Sequence, residues 1–282
     1  MNKKRNIFFI IIAFIVSTFF AIILTNYYIN KKQKELLNSI YESTHKNIFE
    51  KTQNLINDKQ NTSLAIAISL SKDETLYTHL KNRDFEKLNY IKIAKLIETN
   101  SKYKNIWIQI FDSNLNSVYR SWTNIRGSLN FRPDLKKVEA LKNISTSISA
   151  GLFNIGIKAR TPIFDENNNF YGALEVVTHF DSITEDLVKN NISPVVIGDK
   201  SIRKNLTNPL LSKLFIDDYY IANENVDMNL YNYIKENGVE KYINIDKFII
   251  ENGYLISKYP LFDENKKNLA YIINFMELKS IN

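Results

Sequence analysis

No cysteine occurs in this chain, which excludes disulfides, thiol nucleophiles and cysteine-based zinc sites. Histidine is nearly as scarce, and none of the three present, His45, His79 and His179, has metal-ligand spacing with another. The G-x-S-x-G nucleophile elbow is missing. "GLFNIGIK", Gly151 to Lys158, comes nearest to a phosphate loop, but its lysine stands one place late and no Ser or Thr follows. Those glycines read instead as a strand-to-strand turn. Glycine (7) and proline (5) are few among 282 residues while lysine, asparagine and isoleucine abound, so the composition is neither low-complexity nor disordered. No catalytic residue, metal or cofactor is expected, although a hydrolase whose site assembles only in space stays open.

The charge balance is +7, with 37 Lys and Arg against 30 Asp and Glu. The lysines are spread along the whole chain, which reads as solvated surface, and no nucleic-acid partner is expected. What the sequence does have is a 19-residue uncharged run, "IFFIIIAFIVSTFFAIILT", residues 7–25. As a helix it is roughly 28 Å long, the thickness of a hydrocarbon core. Lys3, Lys4 and Arg5 precede it, and Tyr27 and Tyr28 follow at interface level. A cleavable signal peptide is the rival reading, but "TNYYIN" offers no small-x-small site. The expectation is therefore a retained transmembrane helix in lipid, with residues 1–6 as a cytoplasmic tail and the bulk of the chain in the periplasm of a bacterial inner membrane.

Residues 26–72 read as a long stalk helix free of Pro and Gly, with Leu37, Ile40, Ile48, Leu55, Ile56, Ile66 and Leu70 at heptad-like spacing. Such a helix can transmit force or pair with a second copy, so a homodimer is expected; an ordinary scaffold helix packed on a sheet is the alternative. Residues 73–187 read as a first module: two short helices, the second capped by Asp84, then five antiparallel strands. These are "IWIQIFD", "SVYRSW", "STSISAG", "IGIKARTPIFD" and "FYGALEVVTHF", followed by a helix at Ser182 to Asn190. Residues 188–282 read as a smaller module: a strand in "SPVVIGD", a short helix in "PLLSKLF" and two strands about Asn252-Gly253. It closes on "KYPLFDENKKNLAYIINF", which repeats "RTPIFDENNNFYGALEVV" of the first module 98 residues later. The acidic "FDEN" runs suit hairpin turns, where Asp and Asn serve the backbone, better than a metal loop.

One constellation is suggestive. Arg120 and Trp122 are two apart, as are Lys158 and Arg160; Trp107 and Gln109 share the face opposite Ile106, Ile108 and Ile110; Arg126 and Arg132 lie in the intervening loop. Cations with aromatic walls suit a carboxylate or other small anion. The plainer alternative is an exposed sheet face on which Arg and Lys stems cover aromatics.

"IFDSNLNSVYRSW", "FRPDLKKVEAL" and "IGIKARTPIFDENNNFYGALEVVTHFDSI" resemble the double Cache sensory domains of bacterial membrane receptors, of the double sensory type of two-component sensor kinases. The resemblance covers about residues 30–282. It implies an α+β fold, with two PAS-like (Cache) antiparallel-sheet modules in tandem on a long N-terminal helix. It also implies a small ligand in the membrane-distal module, for which the cationic cluster suggests a carboxylate or amino acid, and signal transduction rather than catalysis. Such receptors continue into a histidine kinase, a diguanylate cyclase or phosphodiesterase, or a chemoreceptor output. "FMELKSIN" carries none of these, so the output domain is expected outside the sequence given. The alternative is a membrane-anchored structural or interaction protein that uses the long helix.

Overall fold

The computed structural model describes residues 2–129 and 132–281, with side chains from residue 14 onward. The chain divides into two units, residues 1–47 and 48–282. The first is the leading part of helix α1 (Asn2–Ser71), and its residues 14–40 are all exposed, Leu37 and Ile40 among them. Among the described residues no helix is long and apolar enough to cross a membrane. The span expected at residues 7–25 begins with 7–13, whose side chains lie outside the described residues.

The second unit holds both sheets. The first module runs α2 (Glu74–Asn82), α3 (Tyr90–Asn100), β1 (Trp107–Asp112), β2 (Asn116–Arg120), β3 (Gly127–Ser128), α4 (Pro133–Leu141), β4 (Ser145–Ala150), β5 (Ile155–Phe164), β6 (Phe170–Thr178) and α5 (Asp181–Val188). The second runs β7 (Ile192–Gly198), β8 (Phe215–Ile216), β9 (Tyr219–Ile221), α6 (Met228–Asn237), α7 (Val239–Ile243), β10 (Phe248–Glu251), β11 (Tyr254–Phe262) and β12 (Asn268–Glu277). The sheets are ordered β3-β2-β1-β6-β5-β4 and β10-β11-β12-β7-β9-β8. Leaving out the outermost β3 and β8, both have one topology: the first strand of the module sits at the centre, paired antiparallel with the last. A long N-terminal helix with two antiparallel sheets in tandem is the α+β arrangement expected from the sequence.

Several expectations are corrected. The first sheet has six strands because Gly127–Ser128 adds an edge pair to β2. Trp122 lies just past the end of β2. Asp84 makes no side-chain cap; the first short helix is capped by Asp73, which accepts from the Thr75 amide. "PLLSKLF" is not a helix: the amides of Asn208 and Leu210 donate to the carbonyls of Leu152 and Phe153, and Phe215 enters β8. The second module has fewer residues but as many strands, and helices α6 and α7 went unpredicted.

From Ile48 onward α1 buries the stripe Ile48, Thr52, Ile56, Lys59, Ser63 and Ala67, one helical face. Its polar members are partnered. Thr52 Oγ1 accepts from Asn274 Nδ2 on β12 at 3.3 Å, Lys59 Nζ donates to Ser182 Oγ at 2.7 Å, and Ser63 Oγ bonds Thr178 Oγ1 on β6 at 2.9 Å. One helix thus binds both sheets. Ile106, Ile108 and Ile110 face Ala67, Leu76, Leu80 and Ala94 in a shared core. The opposite face of β1 is free to build something else.

The repeated hairpins are the same object. Asp165 Oδ1 accepts from the amides of Asn167 and Asn169, and Asp263 Oδ1 from those of Asn265 and Lys267. Asn168 (φ 63°) and Lys266 (φ 61°) occupy the left-handed position. The β1–β2 turn repeats the scheme with Asp112 and Leu115 (φ 59°). An L side chain costs about 1–2 kcal/mol there, partly offset against glycine by backbone entropy. Lys266→Gly should therefore raise the unfolding free energy by roughly 0.5–1 kcal/mol in urea titrations. A loss of stability would show that the Lys266 side chain holds the turn.

Candidate functional site

On the face opposite α1, two cross-strand rows run beneath a cavity of about 520 Å³ and supply its floor with all their members except Ser147 and Arg160. In one row Trp107, Val177, Lys158 and Ser147 stand side by side on β1, β6, β5 and β4. In the next, Arg120, Gln109, Glu175 and Arg160 stand on β2, β1, β6 and β5. Side chains of a strand alternate between faces, so residues two apart on β1, β5 and β6 all turn to this side.

The second row anchors a buried ionic network. Arg132, directly before α4, donates from Nε and Nη2 to both Asp134 oxygens (3.0 and 2.7 Å), and from Nη1 and Nη2 to both Glu175 oxygens (3.1 and 2.7 Å). Arg160 donates from Nε to Glu175 at 2.8 Å, from Nη1 to Ser147 Oγ at 3.1 Å, and from Nη2 to Asp134. All four charged residues are buried, and the two cations match the two anions. Burial opposes the charged carboxylates, but Arg132, Arg160 and Lys158 overcome it: Glu175 falls to about 2, and Asp134 lies well below the usual range. Arg132 is raised by Glu175 and Asp134 against the same burial penalty. The network fastens the start of α4 to β5 and β6 and makes one wall of the cavity.

Two cations are left over. Lys158 is 4% exposed, and among the described residues it has no ion pair or hydrogen bond. Burial, then the neighbouring Arg132, brings its amine down to about 7. Its Nζ lies so near Gly151 that a Cβ there would be 3.3 Å away. Arg120 has no carboxylate partner either. Its Nη1 donates to the Ile125 carbonyl at 2.5 Å, and the Gln109 amide, turned with its oxygen toward the guanidinium, accepts from Nε and Nη2 at 3.1 and 3.2 Å. Burial, then Arg126, brings Arg120 down to about 10.

The apolar wall is aromatic. Trp107 and Trp122 stack at 4.6 Å and 10°, with Phe153 edge-on to both. These are the only two tryptophans in the chain. Trp122, Ser149 and Asn154 line the cavity, and Trp122 Nε1, Ser149 Oγ and Asn154 Nδ2 are buried polar atoms without a protein partner. The far wall belongs to the second module: the segment from Ser201 to Thr207 after β7, and the β11–β12 turn from Asp263 to Leu269.

Six of the eight residues singled out in the sequence therefore meet here: Trp107, Gln109, Arg120, Trp122, Arg132 and Lys158. Arg160 and Arg126 do not line the cavity. Arg160 is wholly buried beneath it in the ionic network. Arg126 is exposed and donates to the carbonyls of Val118, Thr123 and Ile125, bracing the loop after β2. Sequence reasoning missed Asp134, Glu175, Phe153 and the second-module wall. Glu175 had a signal: it is the sole charge in the apolar run "FYGALEVV", opposite an arginine, and a charge there needs a buried partner. Gly151 does turn the chain, donating to the Asn154 carbonyl, whereas Gly156 lies inside β5, where a Cβ would come within 2.7 Å of the Thr178 carbonyl.

At the positions 98 residues on, the second module has Ile256, Ile273 and Phe275 where the first has Lys158, Glu175 and Val177. All three are buried in its core, Phe275 edge-on to Tyr233 and Tyr254.

No family model matches the sequence, and no curated protein does. Among solved structures the chain is similar to the sensor domain of the V. cholerae histidine kinase DctB: 13% identity over 83% of this chain and 96% of that one, TM-score 0.47. It is similar to the sensory domain of the Campylobacter jejuni chemoreceptor Tlp3 (CcmL): 17% identity, 87% and 98% covered, TM-score 0.42. The E. coli DcuS sensor domain matches 49% of this chain and 98% of its own at 18% identity, TM-score 0.38. All three are sensor domains, and the likeness concerns general arrangement only.

The network predicts two pH effects. Glu175 is depressed in the fold, so its contribution is whole above its ordinary value of 4.5 and is lost as pH falls toward about 2. Glu175→Gln should cost about 3–5 kcal/mol at neutral pH, because two buried arginines keep only one carboxylate. Urea titrations across that acid range should show the parent losing stability and the variant lacking this component. Lys158 slopes the same way for the opposite reason: its charge is penalised in the fold, so it is harder to protonate folded than unfolded, and stability rises with pH between about 7 and 10.5 as that penalty is relieved. Lys158→Met should stabilise the unliganded protein at neutral pH and flatten that rise; a destabilised variant would mean the amine is satisfied after all.

Proposed function

We propose that the chain is the extracytoplasmic sensing region of a membrane-anchored signal-transduction receptor, and that its first module binds a small organic anion. One observation carries the reading: Arg120 and Lys158 face a 520 Å³ cavity beside a stacked tryptophan pair, with no carboxylate of their own. Buried cations without a counter-charge are costly, and an entering carboxylate would supply that charge together with further hydrogen-bond acceptors. The aromatic wall would take the apolar part of the same ligand. The unpartnered donors of Trp122 and Asn154 favour a ligand rich in acceptors, such as a carboxylate or amino acid. Residues 7–25 would anchor the receptor in lipid with the N-terminus inside. The helix after them would pair with a second copy, and the output would lie in a histidine kinase, cyclase, phosphodiesterase or chemoreceptor domain. On this reading the chain is not an enzyme.

Because both tryptophans line the cavity, their fluorescence reports its occupant. A panel of small organic acids and amino acids added to the full chain should reveal binders by a change in tryptophan emission. For such a binder, Arg120→Ala and Lys158→Ala should each cost about 2–5 kcal/mol of affinity, and Arg126→Ala less than about 1 kcal/mol. Folded Arg120 and Lys158 variants that bind like the parent would make the cationic face ordinary surface and remove the reading.

A further inference from the structure

The cavity is not completed by the module whose sheet forms its floor. Its far wall is contributed by the second module, and that wall also holds an unanswered polar group. Ser201 Oγ is buried and has no partner, like Trp122 Nε1, Ser149 Oγ and Asn154 Nδ2 across the same cavity. Beside it the charges are unequally engaged. Asp263 is spent on its own turn, accepting from the amides of Asn265 and Lys267. Glu264 stands 3.0 Å from Lys137 on α4, which also donates to Asn265 at 3.4 Å. The Lys267 side chain lines the cavity with no ion-pair partner among the described residues.

We propose that the ligand spans both modules: an anion held by Arg120 and Lys158 of the first presents a second acceptor group at its far end to Ser201 and Lys267 of the second. The proposal rests on the reading of the cavity as an anion site. It assigns two specificity residues outside the sensing module and gives the duplicated hairpin a task. The β11–β12 turn becomes part of the binding site, while β12 runs from that turn to Glu277 at the opposite end of its sheet. A bound ligand would fasten the turn against α4, where Lys137 already meets Glu264. Occupancy of one module is then felt directly by the other.

Benzoate and terephthalate separate the two ends. Both offer one carboxylate and a ring for the tryptophan wall; terephthalate adds a carboxylate at the far end. Titrated into the full chain and followed by tryptophan emission, terephthalate should bind about tenfold or more tighter than benzoate, the worth of one further charge-assisted contact. Ser201→Ala with Lys267→Ala should bring the terephthalate-to-benzoate affinity ratio down to about one, whereas Arg126→Ala, outside the cavity, should leave that ratio as in the parent. Lys158→Ala should weaken both anions. If the paired second-module variant keeps the terephthalate advantage while Lys158→Ala weakens both, the anion site stands and the bridge between modules falls. If neither anion alters the emission of the folded parent, the anion site falls and the bridge with it.

Discussion

The four-membered ionic network of Arg132, Asp134, Arg160 and Glu175 is the constraint on which the rest of the site depends. It is buried and balanced, and its charge-assisted bonds pair all four residues. A buried pair of this kind adds little net stability over an apolar filling, but breaking it is expensive, so it fixes geometry. Here it fixes where α4 begins relative to β5 and β6. It also uses up both first-module carboxylates that line the cavity beside Lys158 and Arg120. The surplus of cations in the cavity follows from the completeness of the network beside it.

The two modules show what the same sheet does with and without that constraint. Strand order and hairpin turn are repeated, down to the aspartate that gathers two amides and the left-handed residue after it. In the second module the positions of Lys158 and Glu175 are isoleucines, and Phe275 fills the place of Val177 against Tyr233 and Tyr254. An apolar filling of that face makes a core, whereas a charged filling with a balanced network beside it leaves a cavity lined by donors. Lys158 belongs to the same logic: a buried amine that burdens the unliganded fold is tolerated where a ligand can answer it.

Much of the fold was legible because it is local. Alternation in "IWIQIFD" placed Ile106, Ile108 and Ile110 toward the helices and Trp107 and Gln109 toward the cavity, and the repeated Phe-Asp-Glu-Asn located both closing hairpins. The heptad reading of the long helix held only in part. Its buried stripe runs through Thr52, Lys59 and Ser63, polar residues that hydropathy passes over but that find partners on both sheets. "PLLSKLF" misled because its helical composition is overruled by backbone bonds to the Leu152–Phe153 turn, a contact between segments about sixty residues apart in sequence. In the site, the cations were legible from spacing. Their division into spent and surplus was not, since it turns on Asp134 and Glu175 reaching across from α4 and β6.

That division is what most needs measurement. If Lys158 is the amine that meets the ligand, its charge is largely absent in the empty protein at pH 8 and restored when an anion enters. Calorimetric titration of the full chain with a bound anion, repeated at pH 8 in buffers of different ionisation enthalpy, reads this proton directly. The account predicts an uptake approaching roughly one proton per anion, which disappears in Lys158→Met. Binding with no proton uptake in the parent would contradict it.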